Sequence, residues 1–324
     1  MRAIITGANG QDGSYLAQFL LSKGYTVISV LRSKTSSIEN HSLLGIDGQV
    51  DYVDVDLTDM PAVIALLARH QPTEIYNLAA QSSVSRSFQE PIETISYNVV
   101  TLLNLLEAVR RVDRSIRLYH ASSSEMYGNV DCLPITLSTQ MRPASPYAAS
   151  KASAFWALNT YRESFDLKVA SGVLFNHESI LRPKTFFVKK VVADSVQIYL
   201  GRREHLEVGN IDIRRDFGYA PEYVKAMWLM LQQPVQKDYI ICSGRSMLLR
   251  DIVTYVFDKL GIGEDRIVVN QVLVRPTDIA NIYGDNSSAR KELGWQCAVN
   301  FFDVIDEMLA HELKLHGESG SIAQ

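Results

Sequence analysis

The chain has 324 residues, 47% of them hydrophobic and 21% charged, with a formal net charge of −4. That is ample for one large α/β domain or a large domain carrying a smaller one, and the mild acidity offers no basic surface for nucleic acid or a polyphosphate. Cys132, Cys242 and Cys297 are too widely spaced for a zinc or disulfide pattern, so no metal site is expected. No apolar run approaches the ~20 residues of a membrane-spanning helix. Met1-Arg2-Ala3-Ile4-Ile5 leads straight into a strand, which sets the expectation of a leaderless, soluble, cytoplasmic protein.

In chain order, β-branched runs at Arg2–Thr6, Thr26–Leu31, Val50–Val55, Glu74–Leu78 and Ile116–Ala121 read as strands. Amphipathic stretches at Tyr15–Lys23, Ala62–Arg69 and Leu102–Arg111 read as the helices between them. A longer helix is predicted after Pro146 and a sixth strand over Lys168–Leu174. Such alternation implies an α/β fold, a doubly wound parallel sheet with helices on both faces. Beyond Phe175 the rhythm breaks into loops and short elements. Ala220–Leu231 and Leu249–Leu260 then read as helical, and Tyr239–Cys242 as a strand. The organisation expected is a dinucleotide-binding domain over 1–174, to which 211–243 return elements. A smaller C-terminal substrate-binding domain would come mainly from 175–210 and 244–315. The tail over 316–324 has little to bury.

"ITGANGQDG" joins the first strand to the first helix. Gly7, Gly10 and Gly13 put bare backbone N–H groups beside a helix N-terminus, where a pyrophosphate can bind; Asn9, Gln11 and Asp12 share the turn. NAD sites usually place an acid at the end of the second strand for the ribose 2′-hydroxyl. Here the chain reads Leu31-Arg32-Ser33-Lys34, and an arginine fork suits a 2′-phosphate, so NADP is the expected cofactor. Asp56 and Leu57 would flank the adenine, and Leu78, Ala79, Ala80 and Ser82 would let the cofactor run along the sheet.

"SPYAASK" puts Tyr147 and Lys151 one turn apart on one helix face. A lysine beside a phenol stabilises phenolate, so Tyr147 is expected below its ordinary pKa of ~10. Ser123, at the end of the fifth strand, can hold an alcohol or ketone oxygen while Tyr147 exchanges its proton. If Ser123–Glu125 is extended, Glu125 projects to the same face as Ser123.

The strings "TGANGQDGSYL", "EIYNLAAQS", "SPYAASK", "YRESFDL", "LFNHES", "GNIDIRRDFGYAPEYVKAMWLMLQQ" and "RPTDI" cover nearly the whole chain. Through them it resembles the extended short-chain dehydrogenase/reductases that modify nucleotide sugars, and among these the GDP-mannose 4,6-dehydratases. The resemblance implies oxidation at C4 of GDP-mannose, elimination across C5–C6 and hydride return to C6. Glu125 would be the acid/base of the elimination, beside Ser123, Tyr147 and Lys151. It implies cofactor contact from His177 and a GDP-sugar site containing Ser83, Asn176, Glu178, Lys190, Arg215, Arg275 and Asp278. A homodimer or homotetramer is implied as well. The chain departs from the family at Ser123 (usually threonine), at Ser33 (usually arginine) and at Ile180 (usually proline). A heptose or other GDP sugar, or a 4-keto-sugar reductase or epimerase activity on the same scaffold, are the enzyme alternatives. A silent NADP sensor is the non-enzymatic one.

Overall fold

The computed structural model describes residues 1–33, 36–274 and 277–317. Its strands are β1 (Arg2–Thr6), β2 (Thr26–Leu31), β3 (Asp51–Asp54), β4 (Glu74–Asn77), β5 (Arg117–Ser123), β6 (Val169–Leu174), β7 (Asn176–Glu178), β8 (Leu206–Val208), β9 (Arg214–Tyr219), β10 (Tyr239–Ile241), β11 (Ser246–Leu248), β12 (Ile267–Val269) and β13 (Asn281–Ile282). The helices are α1 (Gln11–Ser22), α2 (Glu39–Leu43), α3 (Met60–His70), α4 (Val84–Gln89), α5 (Pro91–Val112), α6 (Pro146–Phe165), α7 (Phe187–Tyr199), α8 (Ala220–Gln232), α9 (Leu249–Leu260) and α10 (Phe301–Leu315).

Seven strands form one sheet in the order β3-β2-β1-β4-β5-β6-β10, every pairing parallel. The order reverses between β1 and β4, the place where a doubly wound sheet opens a crevice. Period-two alternation feeds both faces of the sheet. Ala3 and Ile5 of β1 pack with Leu16 and Leu20 of α1 and Met227 of α8. Ile4 packs with Leu66 of α3, Leu102 of α5 and Leu158 of α6. Because both faces are covered, β1, β2, β4, β5, β6 and β10 are buried almost throughout rather than on alternate residues.

A separate core joins Val188, Val192 and Val196 of α7 to Val256 and Phe257 of α9 and Phe301 and Ile305 of α10. Phe217 of β9 belongs to it, in a second small sheet of order β11-β9-β13, with β7 also paired to β9. At the far end of the large sheet Glu74, fully buried, is held by Arg117 Nη2 at 2.6 Å, Tyr76 OH at 2.7 Å and Gln232 Nε2 at 3.1 Å. A buried carboxylate persists only with such partners.

Two sequence expectations need correction. The helix expected at Leu102–Arg111 starts at Pro91, where proline occupies the first turn, in which its missing N–H costs nothing. The region after Phe175, expected as loops and short elements, contains the long helices α7 and α10.

Candidate active site

The glycine loop is shaped by close backbone contacts. Gly7 has φ +65°, and a Cβ there would lie 2.9 Å from Ala79 N; a Cβ on Gly13 would lie 2.4 Å from Gly7 O. Packing alone therefore demands both. Gly10 differs, since its Cβ would meet only Gly7 O, at 3.3 Å. Its bareness serves what approaches from outside, at the N-terminus of α1, where Gly10 provides no side-chain cap. Across the switch point Thr6 Oγ1 accepts from Leu78 N and Ala79 N, both at 3.2 Å, and donates to Asn77 Oδ1 at 2.7 Å. The loop is braced from outside by Asn9 Nδ2, which donates to Ser37 O at 3.0 Å, and by His41, whose Nε2 lies 2.8 Å from Ala8 O.

Asp12 and Gln11 reach across to the segment after β6. Gln11 Nε2 donates to His177 O at 3.1 Å, and Asp12 Oδ2 lies 2.9 Å from His177 Nε2. Burial works against the Asp12 carboxylate, but its charge interaction and hydrogen bond with His177 outweigh burial and hold its pKa below the usual value.

The residues expected to carry the chemistry lie at the C-terminal end of β5 and the N-terminal end of α6. Ser145 Oγ caps α6 by accepting from Ala148 N at 3.1 Å, and the next turn carries Tyr147 and Lys151. Ser123 and Tyr147 both line the cleft, with the Ser123 hydroxyl close enough to the phenol to favour its ionised form. The expectation of an extended Ser123–Glu125 is overturned. The strand stops at Ser123, a 3₁₀ turn follows over Ser124–Tyr127, and Ser123 Oγ caps it by accepting from Glu125 N at 3.2 Å. The turn still leaves Glu125 half-buried on the wall of the cleft that Ser123 and Tyr147 line.

The expected pKa relation between Lys151 and Tyr147 is also overturned. Burial pushes the Tyr147 phenol up to about 12, the Ser123 hydroxyl opposes that, Glu125 adds to it, and Arg182 opposes it. Lys151 Nζ is 5.9 Å from the Tyr147 ring centroid and donates to Ala121 O at 2.7 Å. Burial lowers the Lys151 ammonium to about 8. Desolvation of both groups therefore outweighs any help that the lysine gives the phenol.

The cleft itself has a volume of about 770 Å³. It is lined by Gly7, Asn9, Gly10, Gln11, Asp12 and Gly13, by Arg32 and Leu57, and by Leu78, Ala79, Ala80 and Ser82. Lys151 and His177 line it beside the catalytic cluster, as do Ser83 and Asn176 from the expected sugar site. Asp56 is not on this wall. It is exposed and accepts from Thr58 N at 2.9 Å and Thr58 Oγ1 at 2.7 Å, so it shapes the turn after β3.

The remaining expected sugar residues sit elsewhere. Glu178 is 2% exposed and lies 3.2 Å from Arg182 Nε, so it supports the wall from behind. Lys190 bonds Glu207 O and pairs with Asp194 at 3.3 Å. Arg215 is buried, donates to Ile279 O at 2.5 Å and lies 3.6 Å from Asp278 Oδ1. Arg275 and Lys34 fall outside the described residues. Arg182 was missed by sequence reasoning, although it lies three residues beyond the string "LFNHES". It lines the cleft, with its guanidinium carbon 3.7 Å from the Phe186 ring centroid.

A glycine loop at a sheet switch point, with a serine, a tyrosine, a lysine and a carboxylate in one cleft, narrows the relatives to be compared. The family model described as GDP-mannose 4,6 dehydratase matches residues 4–308. The chain belongs to the GDP-mannose 4,6-dehydratase family. It is 37% identical to GDP-mannose 4,6 dehydratase 2 of Caenorhabditis elegans, over 97% of this chain and 89% of that protein. It is 38% identical to GDP-mannose 4,6 dehydratase 1 of Arabidopsis thaliana, over 97% and 90% of the two chains. Among solved structures, the UDP-glucose 4-epimerase of Thermus thermophilus, in complex with NAD, superposes with a TM-score of 0.84 at 26% identity. That match covers 96% of this chain and 99% of the epimerase. A dehydratase family thus shares its α/β architecture with epimerases, and what distinguishes them lies in the site.

Proposed function

We propose that the chain is a hydro-lyase that converts GDP-mannose to GDP-4-dehydro-6-deoxy-D-mannose with NADP as its resident cofactor. The observation that carries this reading is the convergence of Glu125 with Ser123 and Tyr147 in the cleft that begins at the glycine loop. Family membership supports the choice of sugar nucleotide.

The bare loop fits a dinucleotide, because a side chain at Gly10 would project where the diphosphate must approach. Gly10, Gly13 and the first amides of α1 would hold that diphosphate, with Leu57, Ala79 and Ala80 along its path. Arg32 is exposed at the cleft edge, stacked 5.2 Å from the Tyr97 ring centroid, where its fork could take a 2′-phosphate. When bound, the nicotinamide supplies an acceptor for the C4 hydride and a donor for C6.

The protein's own groups handle the protons. Ser123 holds the C4 oxygen and Tyr147 removes its proton. The Tyr147–Lys151 pair must first be one proton short, and with Lys151 near 8 that form gains population as pH rises toward that value. C4 oxidation makes the C5 hydrogen acidic. Glu125 takes that proton and delivers it to the departing C6 hydroxyl, so water leaves; as hydride returns to C6, a proton equivalent to the one that Tyr147 removed would return to C5. Ser83 and Asn176 would contact the sugar end. Arg215 and Asp278, with Arg275 three residues before Asp278 in sequence, would form the nucleotide end of a site shared between the sheet domain and the smaller domain. Glu178 and Lys190 would act by holding neighbouring segments.

A homo-oligomer is part of this reading. Ile92, Ile95 and Val100 on α5 and Trp156 on α6 are exposed, Ile92 by 81% and Trp156 by 61%. Apolar residues at helical spacing on an outer face suit a second copy better than water.

The test is incubation of the purified protein with a panel of nucleotide sugars and either NADP or NAD, followed by mass analysis. GDP-mannose should lose one water, faster with NADP. Absence of water loss from any sugar would sink the lyase reading, and equal rates with NAD would sink the cofactor preference.

A further inference from the structure

Residues 179–186, between β7 and α7, form one wall of the cleft through Arg182, Pro183, Thr185 and Phe186. The wall's inner end is fixed to the glycine loop, where Ser179 Oγ donates to Gln11 Oε1 at 2.8 Å. Lys184, in the middle, turns the other way. Its Nζ donates to Glu312 Oε1 on α10 at 2.6 Å. Glu312 is fully buried, and its second oxygen lies 3.0 Å from Nζ of Lys189, itself buried in α7.

The two lysines do different things. Lys189 neutralises a buried carboxylate inside the second core, where the pair must exist if the charge is to be there at all. The Lys184 side chain is 59% exposed, and Lys189 still neutralises the buried carboxylate when Lys184 is removed, so Lys184 itself adds little to global stability. Its geometric effect is larger, because it ties the midpoint of a cleft wall to a helix that is itself pinned by a buried pair.

We propose that Lys184 and Glu312 form a positioning tether that keeps the 179–186 wall in its binding-competent place, so that α10 sets the affinity for the nucleotide sugar. The ligand named here rests on the GDP-mannose reading of the cleft. Without the tether, binding has to order the wall as well, and that ordering weakens affinity while the bound, reacting geometry is unchanged.

The experiment compares Lys184→Met and Lys184→Arg with the wild-type holoenzyme. Amide hydrogen exchange over 179–186 is measured without sugar nucleotide, and GDP-mannose binding and turnover are measured separately. Lys184→Met should speed exchange in that segment and raise both Kd and KM by about five- to tenfold, the scale of ordering one or two side chains. Its kcat should hold, and its Tm should stay within about two degrees of wild type, because Lys189 still neutralises Glu312. Lys184→Arg should restore exchange and KM, since it can still reach the carboxylate. Unchanged exchange in Lys184→Met overturns the tether whatever the ligand, and so does an unchanged KM beside a reduced kcat. A wild-type protein that binds no GDP-mannose overturns the named ligand instead, while the exchange measurement still decides the tether.

Discussion

Lys151 shows what a reactive residue costs its fold. Burial brings its ammonium from the ordinary 10.5 to about 8, so the unfolded chain holds this proton more tightly than the native one. Below about pH 8 both states are charged and the native state bears the full penalty, about 3 kcal/mol from the usual conversion. The penalty lifts as pH climbs from about 8 toward 10.5, because there the unfolded state binds more protons. Lys151→Met should therefore abolish turnover yet raise Tm at pH 7, and the gain should shrink at pH 10. Thermal melts at both values check this; a methionine variant that melts below wild type at pH 7 would contradict it. Residues of this sort were legible because their chemistry needs fixed local spacing, as in the YxxxK turn and the three glycines. Depth of burial has no such local signature. Glu178 and Arg182 stand four apart and pair at 3.2 Å, yet the carboxylate is buried and the guanidinium lines the cleft. Glu125 reaches the cleft wall, but from a serine-capped turn rather than from the extended strand that the sequence suggests.

At the scale of elements, the large sheet was readable because its strands are compact runs, β-branched above all in β1 and β2, that alternate with amphipathic helices. The second sheet was not. Its strands span two to six residues, and the shorter ones cannot show a period; β7 and β13 owe their existence to pairing with β9. In α7, Val188, Val191, Val192 and Val196 favour strands locally and become helical because the stripe they form packs on α9 and α10. The start of α5 was missed for the complementary reason. Its first turns put Ile92 and Ile95 outward, so no buried stripe marks them. That same outward stripe motivates a prediction at this scale. Changing Trp156 to glutamate places a charge in the middle of the exposed α5–α6 face. It should shift the mass measured by light scattering toward the monomer, with little change in the far-ultraviolet spectrum. Unchanged mass from an oligomeric wild type would place the interface elsewhere, and a monomeric wild type would end the oligomer proposal.

At the scale of the whole molecule, the cleft opens at the β1/β4 switch point. The glycine loop, Ser123, Tyr147 and Lys151 line it, and so do Asn176, His177 and Arg182 from the segment after β6. The chemistry proposed for this cleft has two parts, an oxidation run by Tyr147 and an elimination run by Glu125, and the central claim is that they can be separated. Glu125→Gln keeps the shape and part of the hydrogen bonding while removing the base. The most direct measurement mixes this variant, loaded with NADP, with excess GDP-mannose and follows reduced nicotinamide by its absorbance, while mass analysis of the sugar tracks lost water. Reduced cofactor should appear and persist, water loss should fall about 10²–10⁴-fold, and exchange of the C5 hydrogen with deuterated solvent should nearly stop. Tyr147→Phe, run alongside, should give neither reduced cofactor nor product. A Glu125→Gln enzyme that dehydrates GDP-mannose at the wild-type rate would contradict the claim.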